Sequence, residues 1–145
     1  MQLSKRTQYG LRAMICLADA YDRGFLQTKE LAGRERLPMK FLESILSTLT
    51  RANLLVSKIG ATGGYRLAKP PKDITLSQII SRLEGKRLLE EQQPAQNSEG
   101  RPGEVAVSLL QQQLSDGLRE ALEKMTLATL SEQVSQRHPG QMYYI

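Results

Sequence analysis

Residues 39–48 read MKFLESILST. At helical spacing Phe41, Leu42, Ile45, Leu46 and Leu49 form an apolar stripe, and Met39, Lys40, Glu43, Ser44, Ser47 and Thr48 fall on the other side. Short hydroxyls, a thioether and one charge of each sign can hydrogen-bond and touch base edges. A helix with one core-facing stripe is what a DNA major groove admits. A plain solvated face is the competing reading. The second stretch is Lys58-Ile59-Gly60-Ala61-Thr62-Gly63-Gly64-Tyr65-Arg66. Its glycines permit positive φ and close backbone approach, and Lys58 and Arg66 flank them, as suits a hairpin lying along a phosphate backbone. A plain hairpin turn would use the same glycines. Lys5 and Arg6, and then Thr28 and Lys29, stand at the starts of two further helices, where phosphate is attracted.

Elements must position these groups. Thr28 is the expected N-cap of a short helix opening Lys29-Glu30-Leu31-Ala32. Leu37-Pro38 interrupts that helix, and a new one starts at the proline. Asn53 ends the second helix by tolerating a left-handed conformation. Val56–Ile59 and Tyr65–Leu67 are the strands of the ribbon. Helix–turn–helix followed at once by a basic, glycine-tipped hairpin predicts a winged helix, a far more specific pattern than either part alone. Upstream, Ser4 caps a first helix running to about Arg23, with Leu11, Met14, Ile15, Ala18 and Tyr21 as its buried stripe and Gly24 as its stop.

Downstream, Pro70-Pro71 makes a stiff joint, and Thr75 or Asp73 caps a helix from Leu76 to about Glu84, stopped by Gly85. Residues 86–104, KRLLEEQQPAQNSEGRPGE, read as a linker loop. A long helix follows from Val105 to about Lys124. Val107, Leu114, Leu118, Ala121 and Met125 recur near heptad spacing, widened by Leu110 and Leu122. A small domain cannot bury such a stripe, so a homodimer is expected. Thr126 caps a last helix to about Gln136, and residues 137–145 form a tail ending Met142-Tyr143-Tyr144-Ile145. The expected class is mainly α: a winged helix-turn-helix domain (1–85), a linker (86–104) and dimerisation helices (105–136).

Charge supports this division. Residues 1–72 hold 13 Lys/Arg and 5 Asp/Glu, and residues 73–145 hold 7 and 10, so +8 and −3 sum to the net +5. A basic first half suits double-stranded DNA; an acidic second half suits a protein partner. No apolar run approaches the roughly 20 residues that span a bilayer, and the first residues lack the apolar core of a secretory signal, so a cytoplasmic, non-membrane protein is expected. HExxH, GxxxxGK[ST], GxSxG and CxxC motifs are absent, so no enzyme and no catalytic residue is expected. The one cysteine, Cys16, sits among apolar neighbours and reads as an inert buried thiol; the one histidine, His138, reads as solvated.

The strings LSKRTQYGLRAM, LPMKFLESILSTLTRANLL, GATGGYRLAKPPKDITLSQII and KMTLATL resemble the Rrf-two family of bacterial winged-helix transcription factors. The resemblance spans nearly the whole chain outside residues 86–104. It implies a homodimer whose long C-terminal helices cross, with recognition helices and wings on a pseudo-palindromic operator. Iron–sulfur members carry three cysteines in the loop before the long helix; here that loop has none, so no cluster, metal site or other cofactor is expected. Their wing often carries Arg-Gly-Pro where this chain has Ile59-Gly60-Ala61. The ending resembles that of the cysteine-metabolism branch. A C-terminal Ile also resembles the tail that serine acetyltransferase inserts into O-acetylserine sulfhydrylase, which makes that enzyme a candidate partner. The leading expectation is a repressor of cysteine or sulfur genes. A redox- or iron–sulfur-responsive regulator using Cys16 and non-cysteine ligands, and an enzyme-modulating subunit that does not bind DNA, are the alternatives.

Overall fold

A computed structural model describes residues 2–84 and 100–138. Its order is α1 (Lys5–Asp19), a 3-10 turn (Tyr21–Arg23), α2 (Thr28–Glu35), α3 (Met39–Arg51), β1 (Leu55–Lys58), β2 (Gly64–Leu67), a 3-10 turn (Pro71–Asp73), α4 (Leu76–Leu83), α5 (Pro102–Lys124) and α6 (Leu127–Arg137). The strands pair antiparallel, Leu55 opposite Leu67 and Lys58 opposite Gly64. Leu26 adds a one-residue third strand by exchanging two backbone bonds with Tyr65, at 2.9 and 2.8 Å. The mainly helical winged-helix architecture matches the expectation.

Packing refines several expectations. The first helix ends at Asp19, four residues short of Arg23, and its buried face is rotated: Thr7, Gly10, Ala13, Met14, Cys16 and Leu17 are buried. Of the expected stripe only Met14 is among them; Leu11, Ile15, Ala18 and Tyr21 pack at the rim of the core. The cause is crowding. The helix touches α2, α3, α4, β2 and α6, so its small residues face inward. A Cβ on Gly10 would stand 2.2 Å from the Leu83 side chain. Thr28 is the first helical residue and not the cap; the cap position is Gln27, whose side chain bonds Ala61 O at 3.0 Å instead of its own helix. Between α2 and α3 the chain reverses through Arg36, at φ 53°, before Pro38 caps α3. Asn53 takes φ 61°, the left-handed ending expected of it.

In the C-terminal part, the long helix begins at Pro102, inside the stretch read as linker, because proline is tolerated in a first turn. Residues 85–99 and 139–145, with the Gly85 stop, most of the linker and the Met142, Tyr143, Tyr144 and Ile145 tail, lie outside the described residues. Thr75 caps α4 in a full capping box, and Thr126 caps α6. The two caps sit side by side: Leu76 N–H bonds Met125 O and Leu127 N–H bonds Ile74 O, both at 2.8 Å. Leu127 is fully buried in the same core as α1 and α3, with Leu122, Met125 and Leu130 against it. The end of the long helix is thereby fastened to the winged-helix domain.

Glu84, just after α4, closes this frame on α1. Its carboxylate accepts from Ser4 N–H at 3.2 Å, from Ser4 Oγ at 3.0 Å and from the buried Thr7 hydroxyl. The Thr7 bond, aided by those from Ser4 and opposed by partial burial, holds the Glu84 carboxyl below its ordinary value of 4.5. A folded pKa below the unfolded one gives stability that is present above the unfolded value and lost as pH falls through the folded one. The carboxylate faces solvent, so screening keeps the effect small. Thermal unfolding of Glu84→Gln should therefore lie below wild type at pH 6–7, and the gap should close as pH falls below 4.5. Parallel curves would remove Glu84 as the lock on α1.

Candidate nucleic-acid interface

α3 buries Leu42, Ile45, Leu46 and Leu49 completely. Its outer side leaves Met39, Lys40, Glu43, Ser44 and Ser47 exposed and Thr48 half-exposed. Phe41, expected in the buried stripe, is instead 41% exposed. It lies seven residues before Thr48, on the flank toward α1, where Tyr9 meets it edge-on with ring centroids 5.6 Å apart. Arg12 stands 5.7 Å over the Tyr9 ring and donates to Glu35 O, tying α1 to the end of α2.

Arg6 is held differently from Lys5. Lys5 is exposed. Arg6 crosses to α3, where Nη2 donates to Thr48 Oγ1 at 2.6 Å and Nη1 to Ser44 Oγ at 3.3 Å. Lys29 is exposed and Thr28 half-exposed at the start of α2.

In the hairpin, Lys58, Ile59, Gly60, Ala61 and Thr62 are exposed, with Ile59 99% accessible. Gly60 takes φ 113°, and Gly63 N–H bonds its carbonyl at 3.0 Å, closing the tip. Gly63 and Gly64 do structural duty. Gly63 is buried, and a Cβ there would fall 2.0 Å from Lys58 O; one on Gly64, at φ 137°, would fall 2.2 Å from Leu26 O. Tyr65 is half-buried on the Leu26 bridge. Lys58 Nζ and Arg66 Cζ stand 5.8 and 5.0 Å from the Phe25 ring, which gathers two cations at the base of the wing. Tyr9, Arg12, Phe25, Gln27 and the exposed Phe41 are thus the supports that spacing along the chain does not reveal. The arrangement is a polar helix face beside a basic hairpin, both seated on one apolar core.

A family model, Rrf2, described as iron-dependent transcriptional regulator, matches residues 3–133. The HTH-type transcriptional regulator CymR of Bacillus subtilis is 32% identical over 149 aligned residues, spanning all of both chains. The solved structure of CymR, described as the global cysteine regulator of B. subtilis, superposes with a TM-score of 0.77 at 32% identity, over 92% of this chain and 98% of that one. The structure of IscR from T. potens gives 0.76 at 30% identity, over 99% and 97%.

The family description names iron, and the donors of this chain do not fit an iron–sulfur centre. Its single thiol, Cys16, is buried in α1 with Arg34 Nη1 3.9 Å from the sulfur. Burial pushes that thiol up, against the weaker pull of Arg34, so thiolate is disfavoured. The described residues contain no cluster of three His, Cys, Asp or Glu placed to hold a metal, and residues 86–104 contain no Cys or His. No described helix is long and apolar enough to cross a membrane. With the winged-helix fold, the match over residues 3–133 and full-length identity to a relative, the chain belongs to the Rrf2 family of DNA-binding transcriptional regulators, not enzymes.

Proposed function

We propose that this chain is a homodimeric repressor that places α3 in the major groove of each half of a two-fold-related operator, with the wings on the flanking backbone. The observation that carries the reading is the outer side of α3, with Lys40, Glu43 and Ser44 exposed above a fully buried back. Lys5, Lys29, Lys58 and Arg66 supply phosphate contacts, and Ile59 at the bare wing tip supplies an apolar contact in the minor groove in place of a cation. The work divides between a reading domain (1–85) and paired helices (105–136). The dimer reading rests on α5. Val107, Leu110 and Leu114 are 57%, 58% and 65% exposed, a row of bulky apolar groups that a lone soluble chain does not leave in water. Ala121 continues that row exposed, and Leu118 half-exposed; Leu122 and Met125 already pack on their own core.

The account is tested by selecting duplexes from a random pool with the full chain and by sedimentation. Two half-sites about 34–36 Å apart, centre to centre, are expected, bound by a dimer. Leu114→Glu should fold normally, since the side chain is exposed within one chain. It should also sediment as a monomer and lose operator binding, because an unpaired charge in a helix seam costs about 3–5 kcal/mol. A wild-type monomer at micromolar concentration, or a dimeric Leu114→Glu, would contradict the dimer.

The regulon we propose is cysteine and sulfur metabolism, supported by full-length similarity to CymR and by the tail sequence. The same tail supports an enzyme partner, O-acetylserine sulfhydrylase, with Ile145 as an apolar anchor and Met142, Tyr143 and Tyr144 at the pocket rim. Calorimetric titration of that enzyme with the full chain should show a complex that Ile145→Gly abolishes while operator affinity is unchanged. Absence of heat with the wild-type chain removes this partner.

A further inference from the structure

We propose that Arg6, on α1, is a specificity-determining residue that reads a guanine edge, and is not a phosphate clamp; the inference rests on the operator-binding role proposed above. Its guanidinium is bonded to two successive turns of α3, at Ser44 and Thr48. Exposed Ser44 lies on the side of α3 that enters the groove in that complex, and half-exposed Thr48 lies on its flank toward α1, so the guanidinium spans the edge of that side. A group fastened to that side enters with it. The exposed Lys5, with no tie to α3 of that kind, suits a phosphate contact, which positions the protein without reading sequence.

The orientation of Arg6 is set in two steps. Thr48 donates its own hydroxyl proton to Ser44 O at 3.1 Å, which leaves the oxygen's lone pairs for the arginine. The guanidinium spends one N–H on each hydroxyl. A guanidinium has five N–H donors, so three remain. A planar fork already held at both terminal nitrogens has lost much of its rotamer freedom before DNA arrives. Bidentate arginine at O6 and N7 is the commonest base-specific contact in the major groove, and guanine is the base offering two acceptors on that edge. Tyr9 fills the next turn of the α1–α3 junction against Phe41, which keeps the two helices in register. The reading head is therefore composite: α3 supplies the hydroxyls and α1 supplies the fork.

Arginine and lysine separate the two roles, because lysine keeps the charge and loses the fork. After selection of the operator with the full chain, every single-base variant of one half-site is titrated with wild type, Arg6→Lys, Arg6→Ala, Thr48→Val and the Arg6→Ala/Thr48→Val pair. Arg6→Lys should keep the wild-type salt slope and lose preference for guanine at one position by about ten- to a hundredfold. Thr48→Val should loosen that same position, and the pair should be non-additive there. The inference is overturned if Arg6→Lys discriminates bases as wild type does while Arg6→Ala weakens all sequences equally, with a salt slope lower by about one phosphate. A wild-type chain that selects no sequence overturns the regulator reading itself, and this inference with it.

Discussion

The back of α3 is the contact on which the rest depends. Leu42, Ile45, Leu46 and Leu49 are fully buried, wedged against α1, α2, α4 and β1. Each such side chain contributes about 1.5–3 kcal/mol by leaving water. Side chains recur along a helix at about 3.6 residues per turn, so burying these four determines which others face outward. Lys40, Glu43 and Ser44 are presented because rotating them inward would expose the leucines. The same wedge fixes β1, which follows α3 through Asn53, and so sets the position of the wing.

α1 carries that wedge. It packs against α2, α3, α4, β2 and α6, its start is locked by Glu84 from the far end of α4, and its margin supplies Arg6, Tyr9 and Arg12 to α3 and α2. The wing has separate fastenings: the Leu26–Tyr65 bridge, the Gln27 bond to Ala61 and the Phe25 ring beneath two cations. α3 and the hairpin are thus held to one frame by short polar contacts laid over an apolar core. That frame also receives α5, whose end is pinned by the Thr75–Thr126 bridge.

What the sequence makes legible is local. The α3 stripe, the left-handed Asn53, the glycine-tipped hairpin and the Thr75 and Thr126 caps are each written within a few residues. What it conceals is set by distant partners. Phe41 stands at the edge of the apolar spacing of α3, and Tyr9 on another helix is the partner it meets on that flank. Thr28 looks like a cap, yet Gln27 holds that position because its amide is drawn to a carbonyl 34 residues away. Arg6 looks like any basic residue at a helix start until Ser44 and Thr48, 38 and 42 residues on, are brought beneath it. The face of α1 is misjudged for a related reason: a helix surrounded on most sides turns its small residues, Gly10 and Ala13, toward its neighbours, and spacing rules favour the large ones.

The central claim is that α3 and the wing together form the DNA-contacting surface. Backbone amide chemical-shift mapping of the isotope-labelled protein, titrated with its selected operator, tests this most directly. The account predicts that the largest shifts fall on residues 39–48 and 57–66 and on the start of α1, with α6 unmoved. Shifts concentrated on α5 and α6 that leave α3 and the hairpin unchanged would contradict it.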